Sequence, residues 1–178
     1  MTDNGIDLLI SQHQQVSALL DAVETGPAAG RQVSFDQLRE LLAVHEAAEE
    51  LVLRPITRHQ IAGGNEVADA RMAEENEAKQ VLADLEKLDA NSPEFLEKFT
   101  AFKADVLTHA NNEETLEFPA VRAAEDQDDL ATLADRITKA EAAAPTHPHP
   151  AAKSTTANAA LGPFAALLDR ARDALSRH

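Results

Sequence analysis

Apolar residues recur three and four positions apart through most of the first two-thirds of the chain, the period of an amphipathic helix. Leu9, Val16, Leu19, Leu20 and Val23 make one stripe between about Ile6 and Glu24, and Gly26-Pro27 ends it. A second helix is expected to open at Ser34, with Gln37 placed as in a capping box. It turns Leu38, Leu41, Leu42, His45, Glu49 and Val52 inward, then meets Pro55, which should end or kink it. Gly63-Gly64 mark a break, and a third helix is expected from about Val67 to Leu88, closed by Asp89-Ala90-Asn91. Ser92-Pro93 supplies a cap and a proline at the first helical position, and the fourth helix should run to about Phe118, again against a proline.

Four such helices predict an all-α fold, an antiparallel four-helix bundle over residues 1–122. Residues 123–178 read as a C-terminal helical extension. In it Asp126 to Ala143 forms a fifth helix, its acidic start suited to the positive end of the helix dipole, and Pro145 to Pro150 must be extended. From Leu161 to Leu175, Phe164, Leu167, Leu168, Ala171 and Leu175 share one face. That face needs a cover: the outside of the bundle, a second copy of the chain or another protein.

Composition narrows the function. Only 3% of the 178 residues are aromatic, with no Trp and no Tyr. Zero cysteines exclude disulfides, iron–sulfur clusters and thiolate metal sites, and fit a reducing, cytoplasmic location. The N-terminal stretch has no basic region leading into an apolar core, so no signal peptide is expected, and no apolar run is long enough for a membrane span. The net charge of −15 argues against nucleic acid and anionic membranes as partners.

The chemistry lies in a repeat. His45-Glu46-Ala47-Ala48-Glu49-Glu50 ending at Pro55, and His109-Ala110-Asn111-Asn112-Glu113-Glu114 ending at Pro119, share a histidine, two glutamates and a proline at the same offsets. Positions i and i+4 lie one above the other on a helix, so each copy points an imidazole and a carboxylate the same way. The helix before each copy adds one more donor, His13 in the first half and Glu75 in the second, with Val16 and Leu20 matching Ala78 and Leu82 in register. Two stacked hairpins would gather His13, His45, Glu49, Glu75, His109 and Glu113 as ligands for two metal ions. Mixed imidazole and carboxylate donors without sulfur suit iron or manganese. Two ions about 3.5–4 Å apart can share carboxylates, and Glu49 and Glu113 are the natural bridges. Glu74 is an alternative to Glu75 by helical phase, and Glu46 could reach an ion if its helix turned slightly. Glu50 and Glu114 are expected beside the ligands or at the surface, and His59, His147, His149 and His178 in solvent.

With His13, His45-x-x-x-Glu49 and His109-x-x-x-Glu113 in place, residues 6 to 122 resemble the hemerythrin-like HHE cation-binding family, in a form common in actinobacteria. The tail, with its Pro-His-Pro segment and Gly162-Pro163-Phe164, is similar to the extension of that subgroup. The resemblance implies a non-haem di-iron centre and roles in oxygen carriage or sensing, iron sensing, nitric oxide responses or catalase-like peroxide breakdown. Two positions depart from it: Glu75 stands where a histidine is usual, and Arg54 where relatives often carry an aromatic. An anionic ligand favours ferric iron, which weakens oxygen carriage and leaves peroxide chemistry or iron binding ahead. The expected protein therefore acts on or responds to peroxide, with a sensor of oxygen, nitric oxide or iron as the alternative.

Overall fold

The computed structural model describes residues 4–144. The Pro145–Pro150 segment and the amphipathic stretch from Leu161 to Leu175 lie outside the described residues, as do His147, His149 and His178. Among the described residues the elements are α1 (Gly5–Thr25), α2 (Ala28–Ala48), α3 (Arg54–Gln60), α4 (Gly64–Leu85), α5 (Pro93–Asn112), α6 (Phe118–Ala124) and α7 (Gln127–Ala143). One π-helical turn, Glu49–Leu53, joins α2 to α3, and a second, Glu113–Glu117, joins α5 to α6. The long helices pair α1 with α2 and α4 with α5, and α7 lies across α1 and α2.

Side-chain caps set three helix starts. Asn4 accepts from the Asp7 amide, Ser92 from that of Phe95, and Asp126 from those of Asp128 and Asp129. The second helix departs from expectation. It opens at Ala28, behind an extended Pro27, so Ser34 lies within it and caps nothing. Arg31 makes the early start work: its guanidinium donates to Val23 O at 2.8 Å and Gly26 O at 3.1 Å, satisfying carbonyls at the end of α1. The third long helix is likewise shifted, Gly64–Leu85 against the expected Val67–Leu88. Gly63, at φ 71°, makes the left-handed turn into it, and a Cβ on Gly64 would run into the Thr57 carbonyl.

Neither Pro55 nor Pro119 stops its helix. Proline has no N–H for the carbonyl four residues back, and its ring crowds that oxygen. The chain answers by lengthening one turn: Arg54 N–H reaches Glu49 O and Phe118 N–H reaches Glu113 O, each five residues back. Helix then resumes to Gln60 and Ala124.

The core has two apolar layers. One holds Val16, Leu20, Leu38, Leu42, Leu82 and Leu85 with Phe35, Phe95, Phe99 and Phe102. Phe35 meets Phe95 edge-to-face at 5.1 Å, an arrangement contributing about 0.5–1.5 kcal/mol beyond area burial. The other layer holds Ile6, Leu9, Leu51, Val52, Leu53, Phe118 and Val121 with Leu130, Leu133 and Ile137 of α7. Residues after 122 therefore share the bundle's interior as far as α7. Between the layers every long helix of the four turns a polar residue inward, at His13, at His45 and Glu49, at Glu75, and at His109 and Glu113.

Candidate metal centre

The six side chains singled out by the repeat meet in this polar layer, none more than 9% exposed. They form two overlapping groups whose donor atoms lie within 4.8 Å of one another: His13, His45, Glu49 and Glu113, and then Glu49, Glu75, His109 and Glu113. Glu49 and Glu113 belong to both.

Each imidazole is held by its Nδ1. His13 donates to Glu114 Oε1 at 2.8 Å, His45 to Gln12 Oε1 at 2.9 Å, and His109 to Glu74 Oε2 at 2.9 Å. A carboxylate can only accept, so two of these bonds place the proton on Nδ1. Gln12 Nε2 donates to Glu141 on α7, which fixes its oxygen toward His45. All three Nε2 atoms then face the interior, the orientation a ligating histidine needs. His13 Nε2 lies 3.2 Å from Glu113 Oε2, His45 Nε2 3.6 Å from Glu49 Oε1, and His109 Nε2 3.3 Å from Glu113 Oε1. His13 Nε2, His109 Nε2, Glu49 Oε1, Glu75 Oε2 and Glu113 Oε2 are buried with no hydrogen-bond partner. A folded chain rarely leaves so many polar atoms unpaired in one place, and their imidazole and carboxylate chemistry fits a cation.

The electrostatics agree. Five carboxylates, of Glu46, Glu49, Glu75, Glu113 and Glu117, are buried around two cations, Arg54 and Lys79. Burial, with the charge of Glu46, pushes Glu75 up to about 8, and burial with Glu113 lifts Glu49 well above the carboxylate range. Glu113 goes the other way: burial would raise it, but His109, His13 and Arg54 hold it well below. Burial and the charge of His13 bring His45 down to about 3, so its ring is neutral. Burial also pulls on His109, yet the Glu113 carboxylate, with Glu46 and Glu74, lifts it to about 9. Without a metal, a proton thus sits where His109 would ligate.

The alternatives left by helical phase have distinct places. Glu75 faces the centre; Glu74 is half-buried and bonds His109 and, at 2.8 Å, Arg71. Glu46 is buried 3.7 Å from Lys79 Nζ, which pairs with Glu50, and it lines a cavity of about 230 Å³ with His13, His45, Glu75 and His109. Glu114 is the partner of His13, and His59 is exposed.

Sequence reasoning gives no site role to Gln12, Arg54 or Glu117. Arg54 is 2% exposed, and its Nη2 lies 2.7 Å from Glu75 Oε1 and 3.2 Å from Glu49 Oε2 and also bonds Glu113. Its Nη1 grips both oxygens of Glu117 at 2.8 and 2.7 Å, and Glu117 also accepts from Thr57. In an α-helix, residue i+5 points about 140° away from residue i. The π turn closes at i+5 and so returns Arg54 to the face of Glu49. The signal available in the sequence was the proline directly after it. The repeat places Phe118 at the equivalent position of the other half, where it stacks on His13 with ring centroids 5.5 Å apart.

A family model described as the hemerythrin HHE cation-binding domain matches residues 4–121. The fold is similar to the crystal structure of a hemerythrin HHE cation-binding domain-containing protein from Mycobacterium kansasii, with a TM-score of 0.68 at 19% identity. That alignment covers 94% of this chain and 98% of the other. No curated protein matches the sequence.

Proposed function

Since the chain belongs to the hemerythrin HHE cation-binding domain family, we propose that its polar layer binds iron and that the iron centre acts on or responds to peroxide. The observation that carries the metal reading is the set of five buried, unpartnered donor atoms on His13, His109, Glu49, Glu75 and Glu113. The donors fit a resident cation, and the proposed ligands are His13, His45, Glu49, Glu75, His109 and Glu113. Two overlapping groups that share Glu49 and Glu113 support two ions bridged by those carboxylates, iron before manganese. Iron supplies a redox couple and exchangeable coordination positions.

The protein's own part is placement. Glu114, Gln12 and Glu74 hold the three rings by Nδ1, which fixes each Nε2 toward the centre. The cavity beside the histidines has apolar walls at Val16, Leu42 and Val106, and admits a ligand of a few heavy atoms. No described helix is long and apolar enough to cross a membrane, and the lack of cysteine supports a cytoplasmic setting. Iron-loaded protein should evolve oxygen from peroxide above a free-iron control, and His45→Ala/His109→Ala should not. Equal rates in all three would refute peroxide turnover.

The alternative is an oxygen, nitric oxide or iron sensor built on the same centre. Its proposed output, docking of a partner or second copy through 161–175, falls outside the described residues. Deleting the chain after Ala144 separates the two readings: a catalyst keeps its peroxide activity, a sensor loses its response.

A further inference from the structure

The two donor groups are not equally free to take an ion. Three of the four members of the second group, Glu49, Glu75 and Glu113, already accept hydrogen bonds from the guanidinium of Arg54. Each shared carboxylate is divided between the two sides. Glu49 turns Oε2 to Arg54 and keeps Oε1 unpartnered 3.6 Å from His45 Nε2. Glu113 turns Oε1 to Arg54 and keeps Oε2 unpartnered 3.2 Å from His13 Nε2. The second group also keeps Glu75 Oε2 and His109 Nε2 unpartnered, but Arg54 Nη2 sits among its three carboxylates, whereas the oxygens turned to His13 and His45 are the ones Arg54 does not hold.

Burying an arginine is costly and is tolerated only where carboxylates surround it. Here the cost is met on one side only. The repeat puts Leu53 and Arg54 in the first half where Glu117 and Phe118 stand in the second, so Arg54 and Glu117 face each other across the layer. Nothing in the bundle's packing requires the pair, since at the equivalent places Leu53 and Phe118 are apolar and fully buried. What the pair supplies is a positive charge on a tether, anchored by Glu117 and Thr57 and reaching into the metal layer through Nη2.

Resting on the metal-binding reading above, the geometry points to Arg54 as a built-in placeholder for the second ion. The first ion enters at His13, His45, Glu49 and Glu113. The second enters at Glu75 and His109 only when the guanidinium lets go of Glu49, Glu75 and Glu113 and is left to Glu117. The two positions therefore fill in order, and the singly loaded form is a stable state of this protein, its charge balanced by arginine.

The test is an anaerobic titration of the full, metal-free chain with iron(II), read by calorimetry and by metal content after gel filtration. Wild type should show two steps, the first tighter by about tenfold or more. Arg54→Gln should tighten the second step by about tenfold and move the first by less than about threefold. Glu117→Gln, which removes the anchor that receives the withdrawn guanidinium, should weaken the second step more than the first. Two equal steps in wild type overturn the placeholder whether or not either variant folds, and so does a second step that Arg54→Gln leaves unchanged. Absence of any bound iron in wild type would instead overturn the metal-binding reading itself.

Discussion

Gln12 is the most informative side chain to remove, because it does two separable things. Its Oε1 accepts the Nδ1 proton of His45 at 2.9 Å, and its Nε2 ties α1 to Glu141 of α7. Gln12 is 7% exposed and His45 2%, so water cannot replace the lost acceptor. In Gln12→Leu the His45 N–H is left buried and unpaired, at about 1–3 kcal/mol, and the lost tie to Glu141 adds about 1 kcal/mol. For a domain of this size, about 2–4 kcal/mol lowers the melting temperature of the metal-free protein by roughly 5–15 °C. Metal affinity falls for a different reason. His45 is neutral, so it carries one proton, and only the bond to Gln12 keeps that proton off Nε2. Losing such a partner costs about 10–100-fold in metal affinity. Glu141→Ala is the comparison, since it cuts the tie to α7 and loosens the Gln12 amide but keeps that amide in place as the acceptor for His45. The assay is iron(II) competition against a chelator, with thermal melts of the metal-free forms. If Gln12→Leu binds iron as tightly as Glu141→Ala does, the claim that Gln12 sets the tautomer of a ligating histidine is refuted.

The two glutamates of α4 should separate cleanly by iron content. Glu75→Gln removes a buried oxygen donor and should lose the second equivalent; Glu74→Gln keeps an acceptor for His109 and should retain it with an affinity within about tenfold. The reverse pattern would assign the ligand to Glu74. The metal-free protein should also lose stability as pH rises from about 6.5 toward 9. In that window Glu75, at about 8 against its usual 4.5, and His109, at about 9 against 6.5, hold protons in the folded state that the unfolded chain has released. Their stabilisation is complete below the unfolded values and is lost as pH passes the folded ones. Melting temperatures of chelator-treated protein between pH 6.5 and 9 check this, and a rise across the window would contradict it.

Most of the centre was readable because its residues obey one simple rule. Glu49 and Glu113 still close an α turn back onto the His45 and His109 carbonyls, so the i, i+4 rule holds for both pairs, and the six donors do meet. The fifth helix was readable from Asp126 for the same reason, since a cap is a local interaction. What the α period hides begins one residue after each glutamate. Pro55 reads as an end or a kink and Pro119 as an end, but a single π turn absorbs each, and the first swings Arg54 onto a face where the 3.6 period would never put it. Glu117, one turn beyond Glu113, was overlooked because its role depends on Arg54. Ser34 misleads in the opposite sense: it matches a cap, but side-chain bonds from Arg31 back to the end of α1 support helix from Ala28.

A cation in the polar layer is tested most directly by metal content together with the near-ultraviolet to visible spectrum of protein purified without added metal, beside His45→Ala/His109→Ala. With no Trp or Tyr in the chain, that spectral window is open to iron bands. Bound iron with such bands is expected in wild type, and neither in the double variant. No metal in either protein, with equal stability with and without added iron(II), would contradict it.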